Sequence, residues 1–158
     1  MKIIYDDIIY SLQRAGGISL YWAQLETYLE QDIYLLYSGH EKNIFLPDFK
    51  GKKRIKNDIL LFERYKNVKI LENEPFIFHS SYYRYCKDRN AINITTVHDF
   101  IYEFFRRDLK SNIHKTQKRK AIKNSMAIIC NSENTKKDLI LFHPDYKGMI
   151  KVIYLGLS

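Results

Sequence analysis

Cysteine is scarce in this sequence, and several other features that would define a class of protein are missing. The 158 residues include two cysteines, Cys86 and Cys130, whose spacing matches no metal-binding or redox motif. This usage fits a reducing, cytoplasmic compartment, and we expect Cys130 to be a small buried side chain. No apolar run approaches the ~20 residues that a membrane-spanning helix needs. A secretory signal peptide is not expected, because Asp6 and Asp7 interrupt the only early apolar stretch.

The residues that are present predict a globular domain with a basic surface. Hydrophobic residues make up 46% of the chain and aromatic residues 15%, which is typical of a folded protein and not of a disordered one. A chain of this length fits one domain. The formal net charge of +8 attracts nucleic acid, anionic lipid or phosphorylated ligands, and charge alone does not choose among them.

Strand and helix patterns alternate along the chain, which predicts a parallel sheet with helices on both faces. The predicted strands are 1–11, 33–37, 68–71, 75–79, 92–97, 126–130 and 150–155. The predicted helices are 18–29, 58–65, 109–124 and a last one that begins at Ser132 or at Thr135 and ends near Phe142. Residues 40–56 are polar and basic and are predicted to form a surface loop.

Two glycines, Gly16 and Gly17, join the first strand pattern to the first helix pattern. Glycine allows a sharp turn and lets a ligand approach the backbone closely. The free N–H groups and the positive end of a helix favour an anion such as phosphate. A connecting turn without a ligand is the alternative interpretation, since short glycine motifs are weak signals.

Polar residues follow several predicted strands directly. In a parallel sheet, ligands collect at the carboxyl ends of the strands, so these positions are the candidates for a binding site. They are Gly16–Gly17, His79–Ser80, His98–Asp99 and Asn131–Ser132.

Five segments, in order, resemble the N-terminal half of family-4 retaining glycosyltransferases, which have the GT-B architecture. They are SLQRAGGISLY at 11–21, FHSSYY at 78–83, TVHDFIY at 96–102, IICNSENTKKDL at 128–139 and VIYLGL at 152–157. The resemblance implies a Rossmann-like acceptor-side domain over residues 1–158. It also implies that the chain stops where the linker to a donor-binding domain should begin, so that sugar transfer needs that second domain.

The resemblance also implies roles for individual residues. Gly16, Gly17 and Ser132 would bind the donor diphosphate, and His98 would reach the transferred sugar as the catalytic residue. A histidine near neutral pH can donate or accept a hydrogen bond, which suits a sugar hydroxyl. The alternative for His98 is a structural histidine that caps the sheet.

Other side chains have weaker assignments. Asp99 is expected to orient His98 or to cap the next segment, and Thr135 lies beside the cleft or begins a capping box with Asp138. His79, Tyr82 and Tyr83 are expected to contact an acceptor sugar or simply to pack. The remaining histidines, His40, His114 and His143, are predicted to be solvated.

The predicted helix 109–124 carries Lys115, Lys118, Arg119 and Lys123 three and four residues apart, and therefore on one side. A solvated face is the default interpretation. The alternative is contact with an anionic membrane surface, at about 1 kcal/mol per charge near the surface.

The sequence thus predicts the acceptor-binding half of a retaining hexosyltransferase that uses a nucleotide-sugar and acts on a polysaccharide or lipid-linked glycan, in bacterial surface polysaccharide biosynthesis. No metal cofactor is expected, since the sequence has no Asp-x-Asp or similar carboxylate pair. The alternatives are a non-catalytic binding or assembly subunit, a truncated remnant that needs a donor-domain partner and, least favoured, a basic nucleic-acid binder. The expected location is cytoplasmic, with peripheral association at the inner face of the membrane as the alternative to a free protein.

Overall fold

A computed structural model describes residues 1–28, 33–37, 42–48, 53–56 and 63–156, with the backbone alone described at 53–56 and at Glu63. Within these ranges, seven strands form one parallel sheet in the order β3-β2-β1-β4-β5-β6-β7. The strands are β1 Ile3–Asp6, β2 Ile33–Tyr37, β3 Lys53–Lys56, β4 Phe76–Ser80, β5 Ala91–Val97, β6 Ala127–Cys130 and β7 Met149–Val152. The helices are α1 Ile9–Leu12, α2 Gly17–Tyr28, α3 Ile101–Phe105, α4 Leu109–Lys123 and α5 Glu133–Phe142.

Successive strand residues point to opposite sides of the sheet, so both faces carry apolar side chains, and helices cover both. Trp22 of α2 packs on one face with Tyr5 and Leu35. Ile122 of α4 and Leu139 of α5 pack on the other face in a second cluster, with the two buried residues of β6, Ile128 and Cys130. The chain therefore has a Rossmann-like α/β fold, as the alternation of strands and helices predicts.

The structure corrects several predicted element boundaries. The first strand ends at Asp6, and α1 occupies part of the range predicted as strand. The backbone at 53–56 is a strand that pairs in parallel with β2, so the loop predicted there is wrong. The predicted strand 68–71 is also wrong, since only Val68 makes an isolated bridge, with Cys86. The last strand, β7, covers 149–152 instead of 150–155.

Some predictions fall partly on residues outside the described ranges. The predicted helix 58–65 is described only at its end, where Glu63–Tyr65 forms a 3₁₀ turn, and 57–62 lie outside the description. Other positions outside it are Leu29, His40, Lys50, Lys52 and Leu157.

Lys118 does not lie on a solvated face of α4. Its side chain is fully buried and its Nζ lies 2.9 Å from Glu103 Oε2 and 2.8 Å from the Asp99 carbonyl oxygen. The Nζ also lies over the rings of Phe100 and Tyr83, at 4.7 and 5.3 Å from their centroids. The predicted one-sided basic face is therefore wrong at this position. None of the described helices is long and apolar enough to cross a membrane.

Candidate functional site

The glycine loop leads directly into the first turn of α2. Gly17 is the first residue of this helix and is exposed, and a Cβ built at Gly17 would meet no atom within 4 Å. The N–H of Leu20 and the hydroxyl of Ser19 both donate to the Gly16 carbonyl oxygen, which fixes the start of the helix. The first N–H groups of a helix have no partner within it, so a ligand can reach them at this open position.

His98 follows β5 directly and is half-buried against α2. Its ring meets the ring of Tyr21 edge to face, with centroids 5.4 Å apart. Burial lowers the pKa of His98 below its usual value, and the nearby Asp99 carboxylate opposes that shift. The imidazole is therefore predominantly neutral near pH 7, with one nitrogen that donates and one that accepts. Tyr21 lies one helical turn after Gly17, so this contact joins the glycine loop to the end of β5.

Ser132 and Thr135 connect the end of β6 to the end of β5. Ser132 is the N-cap of α5, and its Oγ accepts a hydrogen bond of 3.0 Å from the Thr135 N–H. The Thr135 hydroxyl is buried, 2.8 Å from Asn131 Oδ1 and 3.2 Å from the His98 carbonyl oxygen. The capping box predicted to begin at Thr135 is therefore wrong, because α5 is capped three residues earlier.

These contacts bring three sequence-predicted residues to one edge of the sheet. His98 and Ser132 closely follow β5 and β6, whereas α1 separates Gly17 from the end of β1, so the predicted position of Gly17 directly after a strand is wrong. The Tyr21 ring, one turn after Gly17, contacts the His98 ring. Thr135, whose N–H donates to Ser132 Oγ, reaches the His98 carbonyl oxygen with its hydroxyl. The edge presents a helix start, a neutral imidazole and a hydroxyl, which are hydrogen-bonding groups suited to phosphate and sugar oxygens.

His79 lies inside the domain, beneath this edge. The residue is 3% exposed. The centroid of its ring lies 4.8 Å from that of the Trp22 ring, and its Nε2 lies 2.9 Å from the Thr96 hydroxyl. Burial lowers the pKa of His79 to about 3, with a smaller contribution from His98. A direct contact with an acceptor sugar is not supported by this placement, because Trp22 and Thr96 would have to move first. The observed contacts are those of a neutral packing residue.

Tyr82 and Tyr83 belong to an aromatic cluster that also includes Tyr102 and His114. Tyr83 is buried beneath Lys118, whereas the half-buried Tyr82 hydroxyl accepts a hydrogen bond of 2.7 Å from Arg64. His114 contacts both tyrosine rings and stacks on Tyr102 with centroids 4.3 Å apart.

The predicted solvation of the histidines is wrong at two described positions. His114 is half-buried, and burial lowers its pKa to about 4. His143 is also half-buried, near the Phe100 ring, and burial lowers its pKa. The sequence could not predict these aromatic neighbours, because they come from segments distant from each histidine in the chain.

Two cavities open beside these residues. One of about 330 Å³ lies between the segment 65–67 and α4 and includes Tyr83 in its wall. Another of about 360 Å³ lies between α3 and α5, next to Thr135 and Asp99. The Asp99 carboxylate lines this second cavity and accepts a hydrogen bond of 3.0 Å from the N–H of Ile101, the first residue of α3, whose N-cap is Phe100.

A buried ion pair that no sequence pattern predicted lies at the same edge. Asp6, the last residue of β1, accepts hydrogen bonds from Arg84 Nε at 2.8 Å and from the Ser80 hydroxyl at 2.6 Å. The side chains of Asp6 and Arg84 are 1% and 2% exposed. The sequence carried no signal for this pair, because the predicted first strand, 1–11, put Asp6 in its middle and nothing pointed to Arg84 as its partner.

Within the described residues, no three His, Cys, Asp or Glu side chains come together as ligands of a metal ion would. Comparison with protein-family models and with curated proteins gave no match to this chain. The fold and the geometry of the edge are therefore the basis for a functional proposal.

Proposed function

We propose that this chain is the acceptor-binding half of a retaining hexosyltransferase that transfers a sugar from a nucleotide-sugar to a polysaccharide or lipid-linked glycan. The observation that carries the proposal is that Tyr21, one turn into α2, and Thr135, in the first turn of α5, both contact His98 at the carboxyl end of β5. Ligands of open parallel sheets bind at this edge. The role in bacterial surface polysaccharide synthesis and a cytoplasmic, membrane-peripheral location follow from the sequence resemblance and are part of the same proposal.

Each group has a role that its environment favours. The exposed start of α2 would hold the donor diphosphate, because Gly17 has no side chain to block the approach. The neutral His98 ring would hydrogen-bond the transferred sugar and stabilise the charge that develops during transfer. Ser132 would add a hydroxyl beside the diphosphate. A donor-binding domain on the other side of the cleft would supply the remaining contacts.

The test pairs this chain with a complete donor domain and measures both transfer and binding of UDP-glucose and GDP-mannose. Replacing His98 with alanine should lower the rate of transfer by about 10²-fold, as the loss of one transition-state hydrogen bond does. Gly17→Val should weaken nucleotide-sugar binding, because the added side chain occupies the approach to the helix start. Gln24→Ala, on the exposed side of α2, is the matched control and should leave both quantities unchanged.

The proposal fails if the paired protein shows neither transfer nor binding that depends on Gly17 and His98. A fold check by circular dichroism accompanies each variant. If the His98 and Gly17 variants are folded and retain full transfer, then these two residues do not belong to the site.

A non-catalytic assembly subunit is the second candidate, and one observation favours it. Ile153, Tyr154 and Leu155 follow β7 and are between 50% and 68% exposed, as residues that dock against a partner would be. Co-purification with a donor-domain protein that is lost in Tyr154→Ser, without any transfer by the complex, would support this candidate over the enzyme.

A further inference from the structure

Four large apolar side chains on α3 and at the start of α4 are exposed together. We call Ile101, Phe104, Phe105 and Leu109 the α3 patch. Their exposed fractions are 54%, 46%, 77% and 75%, and α3 has no buried residue at all. Single exposed apolar residues are ordinary, whereas a contiguous group on one short segment indicates an interaction surface.

The opposite side of α3 is anchored, so the α3 patch is held in a fixed position. Glu103 forms an ion pair of 2.9 Å with the buried Lys118, and Tyr102 stacks on His114. Within the α3 patch, Phe104 is the partly packed member, because its ring meets Phe142 of α5 edge to face at 4.9 Å. Because Tyr102 and Glu103 are held against α4, Ile101 and Phe105 on the other side of α3 face outward.

Basic side chains flank the α3 patch. Arg106, Arg107 and Lys110 are all exposed. The one acidic residue between them, Asp108, is the N-cap of α4 and accepts a hydrogen bond of 2.9 Å from the Ser111 N–H. Lys115 lies beside them, because its Nζ donates a hydrogen bond of 2.5 Å to the Arg106 carbonyl oxygen, and it adds a fourth positive charge. On the α4 side of the α3 patch, four basic side chains therefore stand against one carboxylate, whereas Asp99 and Asp138 line the cavity on the α5 side.

We propose that the α3 patch docks on an anionic lipid surface, with the phenylalanine rings in the interface and the basic side chains on the lipid headgroups. Aromatic and apolar residues beside Lys and Arg are what interfacial binding requires, and the positive charge complements anionic headgroups. This surface replaces the basic face of α4 considered from the sequence, because Lys118 of that face is buried. The inference deepens the proposed function by naming the surface that would face a lipid-linked acceptor.

The position of the α3 patch fits such an acceptor. Ile101, Phe104 and Phe105 also border the cavity of about 360 Å³ that reaches Thr135 at the carboxyl edge of the sheet. A membrane held against the α3 patch would therefore lie beside the candidate site, and a lipid-linked glycan would need only a short path to it.

The experiment is sedimentation of the purified chain with vesicles, which requires neither a donor nor transfer. One set of vesicles is phosphatidylcholine alone, and the other is an equal mixture of phosphatidylcholine and phosphatidylglycerol. We expect binding to the anionic vesicles only, and a decline in that binding as salt is added. Because no transfer is measured, failure here and failure of the proposed function are separate results.

Variants locate the surface. Phe105→Ser and Leu109→Ser should each lower binding to anionic vesicles at least tenfold, and the double variant Arg106→Gln/Arg107→Gln should lower it by roughly an order of magnitude or more. The matched controls are Leu71→Ser, at a residue 92% exposed, and Arg89→Gln, also exposed and distant in sequence. Both controls should bind as the unchanged chain does.

An independent readout comes from Phe105→Trp. The single natural tryptophan, Trp22, is fully buried, so a shift of emission to shorter wavelength on adding anionic vesicles would report entry of position 105 into the interface.

Three results would overturn the inference. They are equal binding to both kinds of vesicle, equal losses in the patch variants and their controls, or an emission that vesicles leave unchanged. A chain that dimerises in solution, and becomes monomeric in Phe105→Ser with vesicle binding unaltered, would show that a second copy covers the α3 patch instead.

Discussion

The carboxylate of Asp6 and the guanidinium of Arg84 lie inside the domain and form hydrogen bonds at the carboxyl end of β1. Asp6→Asn leaves the arginine charge buried beside a neutral amide, so we expect the free energy of unfolding to fall by about 3–5 kcal/mol. Urea denaturation followed by circular dichroism measures the change. Asp145→Asn, at an exposed position, is the matched control and should alter stability by less than about 0.5 kcal/mol. Equal effects of the two substitutions would contradict this account.

His79 should make the stability of the domain depend on pH. Its pKa is about 3 in the folded protein and near 6.5 when the chain is unfolded. Between these values the unfolded chain binds a proton that the folded protein does not. The contribution of His79 is therefore fully present above pH 6.5 and is lost as the pH falls toward 3.

The measurement is the free energy of unfolding from pH 7 to pH 4, for the unchanged chain and for His79→Gln. Each pH unit within the window costs up to about 1.4 kcal/mol for one such group. We expect the glutamine variant to be less stable at pH 7 and to show a shallower decline with acid. Parallel curves would mean that the His79 ring titrates as freely in the folded protein as in the unfolded chain.

At the scale of elements, the start of α5 depends on one side chain. Ser132 Oγ accepts the hydrogen bond from the Thr135 N–H, and α5 carries the buried Leu139 against the sheet. Ser132→Ala should lower the free energy of unfolding by about 1 kcal/mol, whereas Ser132→Asn should keep most of it, because asparagine is an equally good N-cap. Urea denaturation of the two variants compares them directly. A loss of the same size in both would indicate that the hydroxyl has another structural role than capping.

The same pair of variants separates capping from ligand binding. If Ser132 also contacts the donor, Ser132→Asn should remain stable and yet bind nucleotide-sugar less tightly than the unchanged chain. Equal affinity in the two proteins would restrict Ser132 to the cap.

The elements also differ in how well the sequence predicted them. Strands β2, β4, β5 and β6 and helices α4 and α5 lie within one or two residues of their predicted ranges, since apolar periodicity is a local signal. Helix α3 was missed because five residues are too few to show a helical period, and because its apolar side chains face outward. Strand β3 was missed because its residues are mostly basic, and a strand of that composition is formed by pairing with β2.

For the molecule as a whole, the seven strands in the described part of the chain belong to one sheet, so the domain should unfold as one cooperative unit. Leu139 is fully buried on the face covered by α4 and α5, while Trp22 is buried on the other face. Leu139→Ala should cost about 2–5 kcal/mol through the cavity that it creates. Trp22 fluorescence and circular dichroism should report the same shift in the urea midpoint.

Ile140→Ala is the matched control on the same helix, since Ile140 is half exposed and should change the midpoint little. If the circular dichroism transition moved while the Trp22 transition stayed in place, the two faces would unfold separately.

Local patterns in the amino-acid sequence are enough to predict the class of fold and the strand ends beside which His98 and Ser132 lie. Strand and helix periods are properties of short segments, and the position of a residue after a strand fixes its edge in a parallel sheet. His98 and Ser132 were found in this way, whereas Gly17 is separated from the end of β1 by α1.

Which polar side chains are buried, and what they contact, depends instead on how segments far apart in the sequence pack together. Asp6 and Arg84 are 78 positions apart, and Lys118 lies 15 positions from Glu103. The burial of His79 and the exposure of the α3 patch were likewise not predictable from the sequence. A charge enters the interior only where a partner from a distant segment compensates the loss of water, and such pairing arises from the packing of whole elements.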